Sequence, residues 1–266
     1  MDQHTLYLNC KSQDKLFFEN ISLLITHYNR SNSLERLLRT FRELNCYFKE
    51  IIVSDDCSND VHFSHVQKLK EQYGFRLIET KTNKGLANNL NKGDDAVLTP
   101  LTLYVQEDFI PKVKFREKLQ LASDFMVERP ELDLIRFYAY FDYPYLKVFK
   151  GGFYEMIFYK LTINYRKFYY YSDHPHLRRR NFLEKFGRFT EGIKSDQAEY
   201  KMMQSFVRSK GKGLFYKNFK ELFDQENDSH EPSTVKRNFL RENNSFLLSN
   251  IRHVYRFLKF HFDLFS

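Results

Sequence analysis

Four short apolar runs, each ending in a polar cluster and each followed by a segment of helical periodicity, limit what this chain can fold into. Ile21–Thr26 (ISLLIT) is apolar and β-branched, breaks at the polar turn HYNRSNS, and gives way to Leu34, Leu37, Leu38 and Phe41 at helical spacing. Ile51–Val53 ends in Ser54-Asp55-Asp56-Cys57-Ser58-Asn59-Asp60, and the stretch to Tyr73 again alternates like an amphipathic helix. Phe75–Ile78 predicts a third strand, with a loop over Glu79–Gly85 and a helix over LANNLNKGDDAVL. Leu101–Val105 predicts a fourth strand that runs directly into Gln106-Glu107-Asp108, with a helix over Phe115–Glu128 beyond it.

Strands alternating with helices at this spacing imply parallel pairing through right-handed crossovers, and ligands of such sheets bind beyond the strands' carboxyl ends. The expected fold class is therefore α/β, with a mostly parallel central sheet flanked by helices. Asp55-Asp56 and Glu107-Asp108, distant in sequence, should meet at one edge of that sheet. A carboxylate pair there can hold Mg²⁺ or Mn²⁺, which neutralises a diphosphate and eases its departure. The same residues can instead end strands and cap helices.

Beyond the fourth strand the periodicity weakens. Leu132–Tyr140 predicts another strand, Tyr143–Tyr171 is aromatic and has no assignable period, and Phe182–Phe186 and Ala198–Val207 predict helices. Gly211 and Gly213 break the second of these before LFYKNF, the last strand expected.

The 42 Lys and Arg against 34 Asp and Glu favour anionic partners such as nucleotide phosphates or lipid headgroups. The basic residues are scattered and no nucleic-acid motif appears, so no nucleic-acid partner is expected. HYNRSNS lacks glycine, which argues against a dinucleotide-binding or P-loop site and against a sugar-phosphate nucleotidyltransferase. Cys10, Cys46 and Cys57 have no paired spacing, so neither a disulfide framework nor a cysteine zinc site is indicated, and a reducing cytoplasm is expected. No charged-then-apolar leader opens the chain, and no run approaches the roughly 18 apolar residues of a membrane span. Membrane contact is expected only as peripheral, at the inner face.

The order and chemistry of these segments resemble the inverting family-2 glycosyltransferases of the GT-A fold. ISLLITHYNRSNSLERLLRTF is similar to that family's first strand, substrate loop and helix, and EIIVSDDCSND to its second strand and acidic turn. NKGLANNLNKG resembles its Asn-x-Gly-containing loop and helix, and LTLYVQEDFIP stands where the family's strand ends in an Asp-x-Asp metal motif. The resemblance implies a GT-A nucleotide-diphospho-sugar transferase domain over 19–231, between an N-terminal extension (1–18) and a C-terminal helical segment (232–266). It implies a nucleotide-sugar donor, a saccharide or lipid-linked acceptor, and a Mn²⁺ or Mg²⁺ cofactor.

Carried onto this sequence, the resemblance makes Asp55 the reader of the base, Tyr28 and Arg30 the walls of the nucleotide pocket, and Asp108 the direct metal ligand. Glu107 would support ribose or metal, and Thr26, Asp56, Lys84, Gly85 and Asn88 complete the donor-facing set. Three positions depart from the family pattern: Thr26-His27 replaces Pro-Thr, Asn88 stands where Arg is frequent, and Gln106 replaces the first metal-motif Asp. A catalytically degenerate domain that only binds or scaffolds is the alternative those departures raise.

Inverting transfer needs a general base, and the family places an acidic residue at the start of a helix after a glycine-containing stretch. Here that leaves Glu199, favoured by its distance from Gly211, or Asp196, which could equally be a helix N-cap. His174-Pro175-His176-Leu177-Arg178-Arg179-Arg180 has a composition suited to gripping phosphate, with Arg178 as its donor-binding candidate. His230 is a candidate additional metal ligand, or a surface histidine. The C-terminal IRHVYRFLKFHFDLF predicts a basic amphipathic helix that either lies on an anionic membrane or packs on the catalytic domain.

Overall fold

The computed structural model describes residues 14–226 and 257–264. The four expected strands form as β1 (Leu16–His27), β2 (Cys46–Asp55), β3 (Arg76–Ile78) and β4 (Leu101–Gln106), all parallel, in the order β3-β2-β1-β4. β1 begins at Leu16, within the segment expected to be an N-terminal extension. Registry sets the site: Ile25 lies beside Val53 on one side and Val105 on the other, so His27 ends level with Asp55, and Thr26 with Gln106.

The sheet buries both faces, and the period-2 alternation of β1 divides its side chains between two cores. Leu23 and Ile25 join Leu103, Val105, Phe115 and Leu119 in one. Leu24 joins Ile52, Tyr104, Leu90 and Phe206 in the other. The first core is covered by α1 (Ser31–Glu43), α2 (Asp60–Tyr73) and α4 (Val113–Glu128), and Leu34, Leu37, Leu38 and Phe41 of α1 are all buried as their spacing predicts. The second lies beneath α3 (Leu86–Asp95), α5 (Phe182–Phe186) and α6 (Ser195–Arg208). Gly93 lets α3 approach the sheet, since a Cβ there would sit 2.6 Å from Leu24 Cδ1.

The second half departs from the expected pattern. A short β5 (Phe109–Pro111) follows Asp108, and the predicted Leu132–Tyr140 strand is regular only over β6 (Leu134–Arg136). The aromatic stretch holds β7 (Leu146–Val148), β8 (Phe153–Met156) and a 3₁₀ turn at Tyr165–Phe168. β9 (His176–Arg179) inserts antiparallel between β4 and β6, and β10 (Gly213–Tyr216) and β8 lead out to edge strand β7. Among the described residues the central sheet is thus a nine-stranded mixed one whose parallel half carries the predicted units. β11 (Phe223–Gln225) pairs antiparallel with β5 as a separate ribbon.

Residues 257–264 form a helix, α7, the described part of the C-terminal segment. Phe260 lies 4.9 Å from the Phe168 ring and 4.7 Å from Tyr200, so α7 packs on the domain. Among the described residues no helix is long and apolar enough to cross a membrane.

Candidate functional site

The loop after β1 is fixed by a hydrogen-bond relay that starts at His27. The Arg30 backbone N–H donates to His27 Nε2 (3.2 Å), so the imidazole proton sits on Nδ1 and is donated to Asp55 Oδ1 (2.7 Å). Ser58 adds its hydroxyl to Oδ1 (2.6 Å) and its backbone N–H to Oδ2 (2.9 Å). Burial alone would raise the Asp55 carboxyl, but the bonds from His27 and Ser58 outweigh it and hold the group below the usual carboxylate range. Asp55 is 1% exposed and both its oxygens accept hydrogen bonds from the loop.

Asp56 does the same for the next loop. Its oxygens accept the backbone N–H groups of Lys84 (2.8 Å) and Gly85 (2.7 Å), where the chain enters α3 with Gly85 at φ 83°. Those two amides are therefore spent on Asp56, while the Lys84 side chain is exposed. Asp56→Ala would leave the Lys84 N–H without its acceptor and the Gly85 N–H with only the longer bond to Asn83 Oδ1 (3.2 Å), and we expect a loss of about 1–3 kcal/mol of stability, read as a lowered Tm. An unchanged Tm would mean that water replaces the carboxylate at no cost.

Thr26 turns inward, its hydroxyl 3.0 Å from that of Tyr104, and is 2% exposed, so its side chain does not line the cleft. Tyr104 is wholly buried, while Gln106, at the first metal-motif position, is partly exposed at the end of β4. Tyr28 is partly exposed on the loop after β1. Asn88 Nδ2 donates to Glu191 Oε2 (2.8 Å), and Asn91 Nδ2 to Glu191 Oε1 (2.8 Å), tying the loop before α6 to α3.

At the end of β4 the chain gathers charge. Arg30 Nη1 stands 3.4 Å from Glu107 Oε1 and 3.5 Å from Asp108 Oδ2, and all three side chains are nearly buried. Gln225 Nε2 donates to Asp108 Oδ2 (2.9 Å), and the Glu226 N–H to the Asp108 carbonyl (2.9 Å), so β11 clamps this turn. Asp108 Oδ1 is buried with no hydrogen-bond partner among the described residues, a costly position for a carboxylate oxygen unless a ligand completes it. No cluster of three or more His, Cys, Asp or Glu with metal-binding geometry occurs among the described residues. One carboxylate with an open oxygen still suits Mg²⁺ or Mn²⁺, which characteristically take one or two carboxylates and draw other ligands from water and substrate phosphate. His230 lies outside the described residues.

The two base candidates occupy one face of α6, as their i,i+3 spacing requires. The N-cap of α6 is Lys194, so Asp196 is not the cap; it is exposed in the first turn. Glu199 is turned toward β9, and its Oε1 accepts the Asp173 N–H (3.0 Å). Burial raises the Glu199 carboxyl above its ordinary range, against the pull of Arg136. Burial and the nearby Glu199 push Asp173 well up too, and Tyr171 donates to it (2.9 Å). Asp173, just before β9, and Arg136, at the end of β6, add to the expected set, and their only sequence signal is a charge set among aromatics.

The His-x-His-Leu-Arg run is not a phosphate grip. It is β9, in the interior of the sheet, where Arg178 is wholly buried and paired with Asp94 at 2.7 Å. Arg179 donates to the carbonyls of Leu132 (2.6 Å), Met126 (2.6 Å) and Arg129 (3.0 Å). Burial pushes His174 down to about 3 and His176 well below its usual range, so both imidazoles are neutral. A depression of about 750 Å³ lined by Asp94, Pro100, Arg179, Arg180 and Arg188 lies where β4 begins, at the opposite sheet edge from Asp108.

A parallel half-sheet with paired acidic turns and a cation at its carboxyl edge defines a nucleotide-sugar-transferase type of domain. The sequence profile of glycosyl transferase family 2 matches residues 22–187, and the chain belongs to that family. Over 75 residues it is 36% identical to a poly-beta-1,6-N-acetyl-D-glucosamine synthase of Staphylococcus aureus, a match that covers 28% of this chain and 18% of that enzyme. The fold is that of S. aureus TarS in complex with UDP-GlcNAc (TM-score 0.56, 17% identity, 92% of this chain and 73% of that one). The mannosyltransferase PcManGT of Pyrobaculum calidifontis, in complex with GDP-Man and Mn²⁺, also matches (TM-score 0.50, 14% identity, 81% and 64%). The GT-A fold expected from the sequence is the one found.

Proposed function

We propose that this protein transfers a sugar, with inversion, from a nucleoside diphosphate donor to a saccharide or lipid-linked saccharide acceptor in cell-surface polysaccharide or glycolipid assembly. The observation that carries this reading is the Arg30–Glu107–Asp108 cluster at the carboxyl edge, with Asp108 Oδ1 buried and open. Tyr28 and Arg30 face the nucleotide, and Asp108 holds the divalent ion, which when bound would neutralise the diphosphate. Arg30 adds a fixed positive charge for the leaving diphosphate. Glu199 is the base, favoured over Asp196 because the Asp173 N–H fixes its carboxyl in place and burial raises its affinity for a proton, whereas Asp196 is exposed.

UDP-GlcNAc is the first donor to test, since TarS is described in complex with it and the curated relatives are N-acetylglucosamine polymer synthases. Membrane-borne acceptors would bring the protein to the inner membrane face, with α7 as a point of contact. Gln106 at the first metal-motif position, with Arg30 beside both carboxylates, favours one second reading, a domain that binds donor through Arg30 alone and does not turn it over.

Thermal stabilisation by UDP-, GDP-, CMP- and dTDP-sugars, with and without Mn²⁺, separates the readings, because a ligand bound only by the folded state raises Tm. A metal-dependent shift with one nucleotide, followed by turnover of that sugar, is the expected result. A shift that ignores Mn²⁺ and yields no product would move the assignment to the binding-only domain.

A further inference from the structure

Between β8 and the Tyr165–Phe168 turn the chain holds large apolar side chains out in water. Leu161 is 95% exposed, Ile163 83% and Tyr159 48%. An unconstrained loop would fold such groups inward, but this one is pinned from below. Lys167 is fully buried, and its ammonium is surrounded by the carbonyls of Tyr159 (3.1 Å), Lys160 (2.7 Å) and Thr162 (2.7 Å). With its backbone committed to that cation, the loop cannot turn Leu161 and Ile163 inward.

The same ammonium fixes α7. His261 Nδ1 lies 2.8 Å from the Phe257 carbonyl, and its Nε2 lies 3.0 Å from both Lys167 Nζ and the Lys160 carbonyl, so the ring is held between helix and loop. Phe260 packs on Phe168 and Tyr200, and Asp263 accepts from the Tyr200 hydroxyl (2.8 Å). Those contacts use one face of α7 and leave Leu258 (61% exposed) and Phe262 (73%), one helical turn apart, on the outside. Loop and helix are therefore one surface, joined at Lys167.

The charge around it has one sign. Tyr159–Phe168 carries the exposed Lys160 and Arg166 besides the buried Lys167 and no acidic residue, and α7 adds the exposed Lys259 while its one carboxylate, Asp263, is engaged with Tyr200. Projecting aliphatic tips ringed by cations match a bilayer, whose anionic headgroups overlie apolar chains, better than a concave protein partner. We propose that loop 159–164 and α7 together form a membrane-docking surface that inserts Leu161, Ile163, Leu258 and Phe262 into the headgroup boundary of an anionic bilayer. This deepens the peripheral contact suggested above, and for its biological sense it rests on a membrane-borne acceptor.

The test is co-sedimentation of the full chain with phosphatidylcholine vesicles, with and without phosphatidylglycerol. Binding to the anionic vesicles that weakens with salt is expected. It should fall at least about tenfold in Leu161→Glu/Ile163→Glu and in Leu258→Glu/Phe262→Glu, and about fivefold in Lys160→Ala. Retained Tm and nucleotide-induced stabilisation would show that these variants fold. Wild-type protein that ignores anionic vesicles overturns the proposal, as does undiminished binding by both double variants. So does a concentration-dependent dimer that the double variants abolish, which would make a second copy the occupant. The vesicles contain neither donor nor acceptor, so failure here leaves the sugar-transfer reading intact, and failure of the nucleotide screen leaves this one intact.

Discussion

Glu199→Gln is expected to lower kcat on the order of 10²–10⁴-fold, the usual contribution of a positioned general base, while the nucleotide-induced rise in Tm stays at its wild-type size. The amide keeps the shape of the carboxylate and its oxygen can still accept the Asp173 N–H, so the segment before β9 keeps its anchor. What it loses is the ability to take a proton. Asp196→Asn, measured beside it, separates the candidates: Asp196 is exposed in the first turn of α6, and its neutralisation should cost far less. The reverse pattern, with Asp196→Asn inactive and Glu199→Gln active, would move the base to Asp196 and leave Glu199 with an organising role.

The same carboxyl predicts a pH dependence of definite sign. Glu199 and Asp173 both have raised proton affinity in the folded state, chiefly from burial. Activity that needs Glu199 ionised should therefore rise along an acid limb displaced above the ordinary carboxylate range of about 4. Stability runs the other way. Groups with raised folded pKa contribute stability that is fully present below their unfolded pKa and is lost as pH rises through the folded one. Between those limits the wild type should gain rate while losing stability, and Glu199→Gln should flatten part of the stability slope. A kcat/KM limb at the position of an unperturbed glutamate would contradict the assignment.

The parallel half of the fold is legible in the sequence because its signals are local. ISLLIT and the helix after it carry their own periodicities, and strand ends at His27, Asp55 and Gln106 fall level once the runs pair in register. β9 could not be read that way. HPHLRR reads as a solvated or phosphate-binding cluster until Asp94, 84 positions earlier, is brought to Arg178, and until the carbonyls of Met126, Arg129 and Leu132 are brought to Arg179. A buried cation is stable only beside such partners, and spacing along the chain says nothing of them. Asp55 shows the same limit within the well-read half. Its place at the end of β2 was evident, but not that His27 and Ser58 would engage its oxygens. Tyr143–Tyr171 resisted assignment because its two short strands are held by pairing to each other and to the distant β10, and its 3₁₀ turn by ring contacts at Phe168, and not by a repeating face.

Asp108→Asn should abolish the metal-dependent part of donor binding, with an effect larger than the roughly 10–100-fold that follows loss of a mere outer-shell partner. The substitution is nearly isosteric, and its carbonyl oxygen can keep the bond from Gln225 that holds β11 in place. The charge is what goes, and with it the attraction of the buried Oδ1 for a hard cation. Arg30 then faces Glu107 alone, so a residual, metal-independent affinity for nucleoside diphosphate should survive. Arg30→Ala should remove that residue of binding, and it should also cost the wild type affinity in the absence of Mn²⁺. Titration of each variant with UDP, with and without Mn²⁺, resolves the two charges as separate contributions. If Asp108→Asn binds with unchanged affinity and unchanged metal dependence, the ion is held elsewhere and Asp108 serves only to anchor Gln225 and the turn after β4.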